Sequence, residues 1–128
     1  MLKNIIYRMK YIKTYEQINK VNSMDLIEAV ESNNLKMVKE LIKAGANLDI
    51  LDNIGNTALI LASYRNNIKI AKELIKAGAD WNLKDYDNDY YFLNYLVEED
   101  EDKDKIIEEF PEEYENYLIK KDAEKYNL

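Results

Sequence analysis

One eight-residue segment occurs twice in this chain without change, as residues 39–46 and again as residues 72–79, 33 residues further on. Both copies read Lys-Glu-Leu-Ile-Lys-Ala-Gly-Ala. The similarity continues upstream, because residues 33–36 align with residues 66–69 at the same spacing. A constant period of this length is typical of a tandem array of small units, each of which needs its neighbours to bury an apolar side.

The repeated octet predicts the end of a helix. Lys-Ala-Gly stands at 43–45 and at 76–78, and glycine adopts positive φ without a Cβ clash, so we expect Gly45 and Gly78 to cap helices. Apolar residues at helical spacing precede each glycine and place one apolar face on each helix. These residues are Val38, Leu41 and Ile42 in the first copy and Ala71, Leu74 and Ile75 in the second.

The more complete copy, residues 52–80, resembles an ankyrin repeat. Residues 57–60 read Thr-Ala-Leu-Ile where the family signature has Thr-Pro-Leu-His, so the Pro and the His are replaced. Gly55 stands at the turn before the first helix, Ala62 at a close-packing position and Gly78 at the end of the second helix. The resemblance implies an all-α ankyrin-repeat helical solenoid, in which helix-turn-helix pairs with short hairpin loops stack between an N-terminal and a C-terminal capping helix.

Shifting the repeat frame by 33 residues extends the resemblance over residues 23–97. The first unit lacks the Asp-x-x-Gly turn, as an N-terminal capping repeat would. In the last unit, Asn88 stands at the position of the turn glycine and Tyr95 at the position of the small Ala62. A tyrosine in that position indicates that the last unit packs differently. The predicted units span about 23–46, 47–79 and, in degenerate form, 80–110.

The two flanks are predicted to close the ends of the stack. Residues 1–22 combine apolar residues with a basic excess, which predicts a basic amphipathic helix. Covering the first repeat is the favoured role of this helix over lying on a membrane surface. Residues 98–128 are predicted to form an acidic loop and then capping helices, with a helix starting at Pro111. We expect the last repeat to be sealed by apolar side chains of this region: Ile106, Ile107, Phe110, Tyr114, Tyr117 and Leu118.

Composition argues against catalysis and against nucleic acid as a ligand. The 128 residues are enough for one domain and contain neither cysteine nor histidine, which removes thiolate chemistry, the commonest general base and the commonest zinc ligand. The Asp-x-Asp-x-Asp run at 85–89 resembles the start of a calcium loop, but Tyr90 stands where that loop needs Gly and Leu96 where it needs Glu. The net charge of −7 repels phosphates. We therefore predict a noncatalytic protein without cofactor or metal.

The ankyrin resemblance also implies a contact surface, since the family generally binds through hairpin tips and the exposed side of the first helices. Trp81 lies outside this surface, at a half-buried hairpin-base position, where packing is the expected role. Mapped onto this chain, the candidate partner-binding residues are Leu51, Asn53, Ile54, Asn56, Tyr64, Arg65, Lys84, Tyr86, Asp87 and Asp89.

These observations predict a cytoplasmic protein–protein interaction module that is a monomer when unbound. Its acidic surface favours a basic protein partner and speeds the encounter with it. One specific role is that of an inhibitor or immunity protein that covers a basic active site. Two alternatives stay open: a structural component that self-associates through the stack, and a membrane-surface adaptor that attaches through residues 1–22.

Overall fold

The computed structural model describes residues 24–87, 91–99 and 103–126. The basic segment 1–22 therefore lies outside the described residues. The described parts contain seven helical segments and two isolated antiparallel bridges, Leu51 with Thr57 and Lys84 with Tyr91. The all-α solenoid is thereby confirmed. The helices are α1 (24–31), α2 (Leu35–Lys43), α3 (Ala58–Tyr64), α4 (Ile68–Lys76), α5 (Phe92–Glu99), α6 (Lys103–Glu109) and α7 (Pro111–Lys125).

Short polar side chains start the helices of the stack. The side chains of Asn34, Thr57 and Asn67 each accept a hydrogen bond from the backbone amide three residues on, at 3.1, 3.2 and 3.1 Å. Each bond satisfies one of the amides that a helix leaves unpaired at its N-terminus. Because Asn34 and Asn67 are equivalent positions, the repeated sequence produces the same start for α2 and α4.

Residues with positive φ end the helices. Gly45 and Gly78 have φ of +84° and +99°, which confirms the predicted caps of α2 and α4. The amides of Gly78 and of the next residue donate to carbonyls of the last turn of α4, at 3.0 Å each, and this pair of bonds forms a Schellman motif. Asn33 and Asn66, at φ +56° and +54°, end α1 and α3 in the same way. The two asparagine caps were not predicted.

Small and aliphatic residues form one continuous core through the stack. Ala62 and Ala71 are fully buried, which lets the helices approach closely, and α3 contacts α4 within its repeat and α5 in the next. Side-chain hydrogen bonds also link neighbouring repeats. Asp49 Oδ1 accepts from the Asp80 amide at 2.9 Å, and Arg65 Nη1 donates to the Glu31 carbonyl at 3.0 Å.

The third repeat carries one extra residue in its finger. In the second repeat the bridge joins Leu51 to a residue six positions later, whereas in the third it joins Lys84 to Tyr91, seven positions later. The following helix is displaced by one position, so Leu96 and not Tyr95 takes the buried place equivalent to Ala62. The predicted placement of Tyr95 was therefore wrong, because it assumed a repeat frame without insertions.

The N-terminus of the displaced helix α5 is capped by a different hydrogen bond. At its start, Tyr91 has no side-chain oxygen at the distance that Thr57 uses to cap α3. Instead, Asn94 Oδ1, one turn into the helix, accepts a hydrogen bond from the Tyr91 amide at 3.0 Å. This is the backward bond of a capping box. The start of α5 is thus stabilised although its N-terminal residue is aromatic.

The C-terminal helices cover the last repeat, with two corrections to the predicted set. Ile106 and Phe110 are buried, and the Phe110 ring meets Phe92 edge to face, with 5.6 Å between centroids. Ile107 and Leu118, which were expected to help seal the repeat, are 39% and 45% exposed. They lie on the outer sides of α6 and α7, because one side of each short helix faces the stack and the other faces solvent.

The structure also shows the predicted helix start at Pro111, the predicted acidic loop and the packing of Trp81. Pro111 is the first residue of α7, as expected. The acidic loop expected from residue 98 is shorter than that, because α5 continues to Glu99 and α6 begins at Lys103. Trp81 is partly buried against the core, and the ammonium of Lys120 on α7 lies 5.9 Å from the Trp81 ring centroid.

Candidate functional site

An open groove of about 940 Å³ crosses the first helices and the hairpin fingers of the stack. The groove is formed by three first helices, α1, α3 and α5, and by two fingers, one before α3 and one before α5. Its described lining residues are Met24, Asp25, Ile27, Glu28, Glu31, Asp52, Asn53, Ile54, Asn56, Ile60, Leu61, Tyr64, Arg65, Asp85, Tyr86, Asp87 and Tyr95.

The finger of the second repeat is held by its own side chains. Asp52 Oδ1 accepts hydrogen bonds from the Ile54 and Asn56 amides, at 2.9 and 2.8 Å, and the turn passes through Gly55 at φ +92°. The bonds fix a tight turn whose tip exposes 64% of Ile54. A Cβ at position 55 would lie 3.1 Å from the Tyr86 Cβ, so the glycine also permits the next finger to approach.

The finger of the third repeat presents Tyr86 to the groove. Its backbone amide donates to Asn56 Oδ1 at 3.3 Å, which ties the two fingers together, while 54% of the residue stays exposed. The pKa of the Tyr86 hydroxyl is raised, first by its hydrogen bond with the Asp87 carboxyl and then by the negative charge of that group. The backbone of Tyr86 is therefore held against the second finger, while its side chain stays exposed.

Three side chains on α3, α5 and the third finger form a connected aromatic and acidic group. The Tyr64 and Tyr95 rings meet edge to face, with 5.6 Å between centroids and an interplanar angle of 79°. The Tyr95 hydroxyl donates to Asp85 Oδ2 at 2.6 Å, and Asp85 is only 4% exposed. Burial, followed by this hydrogen bond to Asp85, raises the pKa of Tyr95 well above its ordinary value. Both effects favour the protonated hydroxyl, which is the donor of this hydrogen bond.

The groove has an excess of negative charge. Arg65 is the single basic residue among its described lining residues, and its Nη1 donates to the backbone carbonyl of Glu31 at 3.0 Å. Opposed to this one cation are six acidic residues: Asp25, Glu28, Glu31, Asp52, Asp85 and Asp87. A cleft lined by one sign of charge concentrates the opposite charge, so this groove favours cationic groups.

The structure brings seven of the ten candidate contact residues together on the groove. Leu51 is 54% exposed but does not line it. Lys84 points elsewhere, since its Nζ lies 5.1 Å from the Tyr91 ring centroid and 3.9 Å from Glu124 Oε1 of α7. Asp89 lies outside the described residues. The seven are Asn53, Ile54, Asn56, Tyr64, Arg65, Tyr86 and Asp87.

Sequence reasoning missed the contributions of α1 and of Tyr95. The α1 residues that line the groove include Asp25 and Glu28, which are three positions apart and so share one helix face. This spacing could have shown from the sequence that α1 presents two carboxylates on one face. Tyr95 was missed for another reason: only the extra residue in the third finger turns it to the position of Leu61, which also lines the groove.

Metal-ligating clusters and membrane-crossing helices are absent from the described parts of the chain. Among residues 24–87, 91–99 and 103–126, no group of three or more His, Cys, Asp or Glu side chains is placed to hold a metal ion. No helix in the same ranges is both long and apolar enough to cross a membrane.

A stack of helix pairs with an open groove across fingers and first helices defines a helical-repeat binding protein. A family model described as ankyrin repeats (3 copies) matches residues 5–85, which is more than half of the chain, so the chain belongs to the ankyrin-repeat family. Ankyrin repeats are generally protein–protein interaction modules, and the fold is typically a noncatalytic scaffold. The match begins at residue 5, inside the segment predicted to be a separate N-terminal cap.

A solved structure supports the same fold. The chain is similar to the crystal structure of the ankyrin repeat domain of Bcl-3, described as a unique member of the IkappaB protein family, with 35% sequence identity and a TM-score of 0.50. The similarity covers 56% of this chain and 35% of that one. No curated protein matches the chain.

Proposed function

We propose that this chain is a noncatalytic binding module that holds a basic protein partner in the groove between its fingers and first helices. The observation that carries the proposal is the combination of exposed apolar and aromatic side chains with six acidic lining residues, of which all but the buried Asp85 are at least partly exposed. Ile54 and Tyr64, at 64% and 68% exposed, supply area that a partner would bury. Tyrosine and arginine, both present here, are residue types that dominate binding energy in protein interfaces.

The charge of the groove supports a basic partner and a fast encounter. Complementary charge raises association rates, and this gain falls as salt screens exposed groups beyond about 8 Å at physiological ionic strength. A small acidic protein that binds in this way is suited to cover a basic active site. We therefore propose an inhibitor or immunity role, in which adding the chain abolishes the partner's activity at one equivalent.

Site-specific photo-crosslinking tests the binding face. A benzophenone amino acid at position 54 places the reactive group at the tip of the second finger, and the same amino acid at position 39 places it on the exposed surface of α2. In extracts of the source cells, position 54 should crosslink to a basic protein, with a yield that falls as salt is added. Crosslinking from position 39 and none from position 54 would show that another face binds.

A further inference from the structure

The three tyrosines of the groove, Tyr64, Tyr86 and Tyr95, form a group that we call the tyrosine cluster. Tyr64 and Tyr95 are in ring contact, Tyr95 is hydrogen-bonded to Asp85, and Asp85 is followed in the chain by Tyr86. Tyr86 lines the same groove as the other two tyrosines. Aromatic rings of this kind bind cations on their faces, because the face of the ring carries negative potential.

The cluster combines fixed and accessible parts. The Tyr95 hydroxyl is anchored to the buried Asp85 carboxyl, and the Tyr86 backbone is anchored to Asn56. Tyr64 and Tyr86 nevertheless stay 68% and 54% exposed. The Tyr64 ring, which already packs against the anchored Tyr95, loses little conformational entropy when a ligand stacks on it.

The carboxylates beside the cluster narrow the identity of the cation. A guanidinium is planar, stacks on aromatic faces, carries five N–H donors and is less strongly hydrated than an ammonium. A site with aromatic faces and several carboxylates can use all of these properties at once, whereas a lysine ammonium uses only its charge and three donors. Asp87 follows Tyr86 in the chain, is exposed and lines the same groove, whereas the buried Asp85 carboxyl accepts from Tyr95.

We propose that the tyrosine cluster binds an arginine side chain of the basic partner, with the guanidinium stacked on an exposed tyrosine ring and donating to the groove carboxylates. This inference rests on the proposed function and specifies the group that the groove recognises. It predicts that the groove distinguishes arginine from lysine at equal charge. A groove that responds to charge alone would not make that distinction.

Matched peptides test the inference on the full chain. One probe alternates arginine with leucine, the second has lysine for every arginine, and the third has the neutral isostere citrulline. In fluorescence anisotropy at low salt, the arginine peptide should bind roughly fivefold more tightly than the lysine peptide, because guanidinium stacking adds to the shared charge. The citrulline peptide should bind most weakly, since it keeps the shape and loses the charge.

Substitutions of single residues show which side chains cause the preference for arginine over lysine. Tyr64→Leu and Tyr86→Leu keep an apolar side chain at exposed positions and remove the ring, so each should reduce the preference for arginine, and the double variant should abolish it. Tyr126→Leu is the matched control, because Tyr126 is 63% exposed but lies at the end of α7, away from the groove. It should leave the preference unchanged.

Three results would overturn the inference: equal binding of the arginine and lysine peptides, a preference that survives the double variant, or binding of neither peptide. Equal binding that is lost in the double variant would leave the groove as a binding site for basic proteins and remove only the arginine preference. The crosslinking experiment at positions 54 and 39 tests the proposed function independently of the arginine preference.

Discussion

Replacing Gly78 measures what the left-handed caps contribute to stability. Gly78 follows α4 at φ +99°, and no heavy atom beyond its chain neighbours lies within 4 Å of where a Cβ would be placed. An alanine Cβ at this position therefore meets no steric obstacle in the surrounding structure. Its cost arises from the backbone conformation alone, which makes this position a clean test of backbone strain.

The expected loss is about 1–2 kcal/mol for Gly78→Ala, the usual cost of left-handed backbone for an L-residue, reduced by up to roughly 1 kcal/mol because Ala restricts the unfolded chain. Gly78→Val should lose more, because a β-branched residue fits positive φ poorly. Gly78→Asn should lose least, since the chain already places Asn33 and Asn66 at φ +56° and +54° in equivalent helix ends.

Urea denaturation followed by circular dichroism measures these differences. In a thermal scan of the same variants, a loss of about 1 kcal/mol in the free energy of unfolding corresponds to a decrease in melting temperature of roughly 3–6 °C for a domain of this size. Lys76→Val is the matched control: Lys76 is an exposed residue in the last turn of α4, so this change costs about 0.5 kcal/mol of helix propensity together with the attraction of the lysine charge to the helix C-terminus. If Gly78→Val unfolds at the parent's midpoint, or no earlier than Lys76→Val, the strain argument is wrong.

Three further outcomes are expected. Tyr64→Ala should raise the dissociation rate of a bound partner by an amount corresponding to roughly 1–3 kcal/mol in surface plasmon resonance, while Tyr126→Ala leaves the rate unchanged. Glu109, whose pKa is lowered by its hydrogen bond and ion pair with Lys72, should stabilise the fold above its ordinary pKa and lose this effect as pH falls through the lowered value. Glu109→Gln should therefore be less stable than the parent at neutral pH and equal to it in acid; a constant difference would contradict the argument. Deleting residues 106–128 should cause aggregation or loss of cooperative unfolding, and an unchanged melting temperature would refute a sealing role.

The helix ends show how much of the fold could be predicted from the sequence. Gly45 and Gly78 were predictable because glycine is selected where φ must be positive, and both positions have that conformation. Asn33 and Asn66 also end helices at positive φ, but an asparagine does not predict that conformation as a glycine does. Asparagine also caps helix starts and forms turns, so its presence alone does not show which end of a helix it marks.

The candidate site was predictable only where the repeat frame holds. Positions on the second finger and on α3, such as Ile54 and Tyr64, lie on the groove as the family resemblance implied. Lys84 does not, because α7 packs beside the third finger and provides Glu124 near its ammonium. That contact depends on how the C-terminal helix crosses the stack, and crossing geometry is set by tertiary packing that a repeat pattern does not contain.

The extra residue in the third finger connects the fold to the proposed function. Without it, Tyr95 would take the place of Ala62, which is fully buried between helices and has no room for a ring. With it, Leu96 fills the core, and Tyr95 turns to the groove, where it contacts Tyr64 and donates to Asp85. A change of one position in a loop thus moves an aromatic side chain from a packing position to the groove. The arginine recognition proposed for this groove therefore depends on the register of the third repeat, where the sequence departs furthest from the repeating pattern.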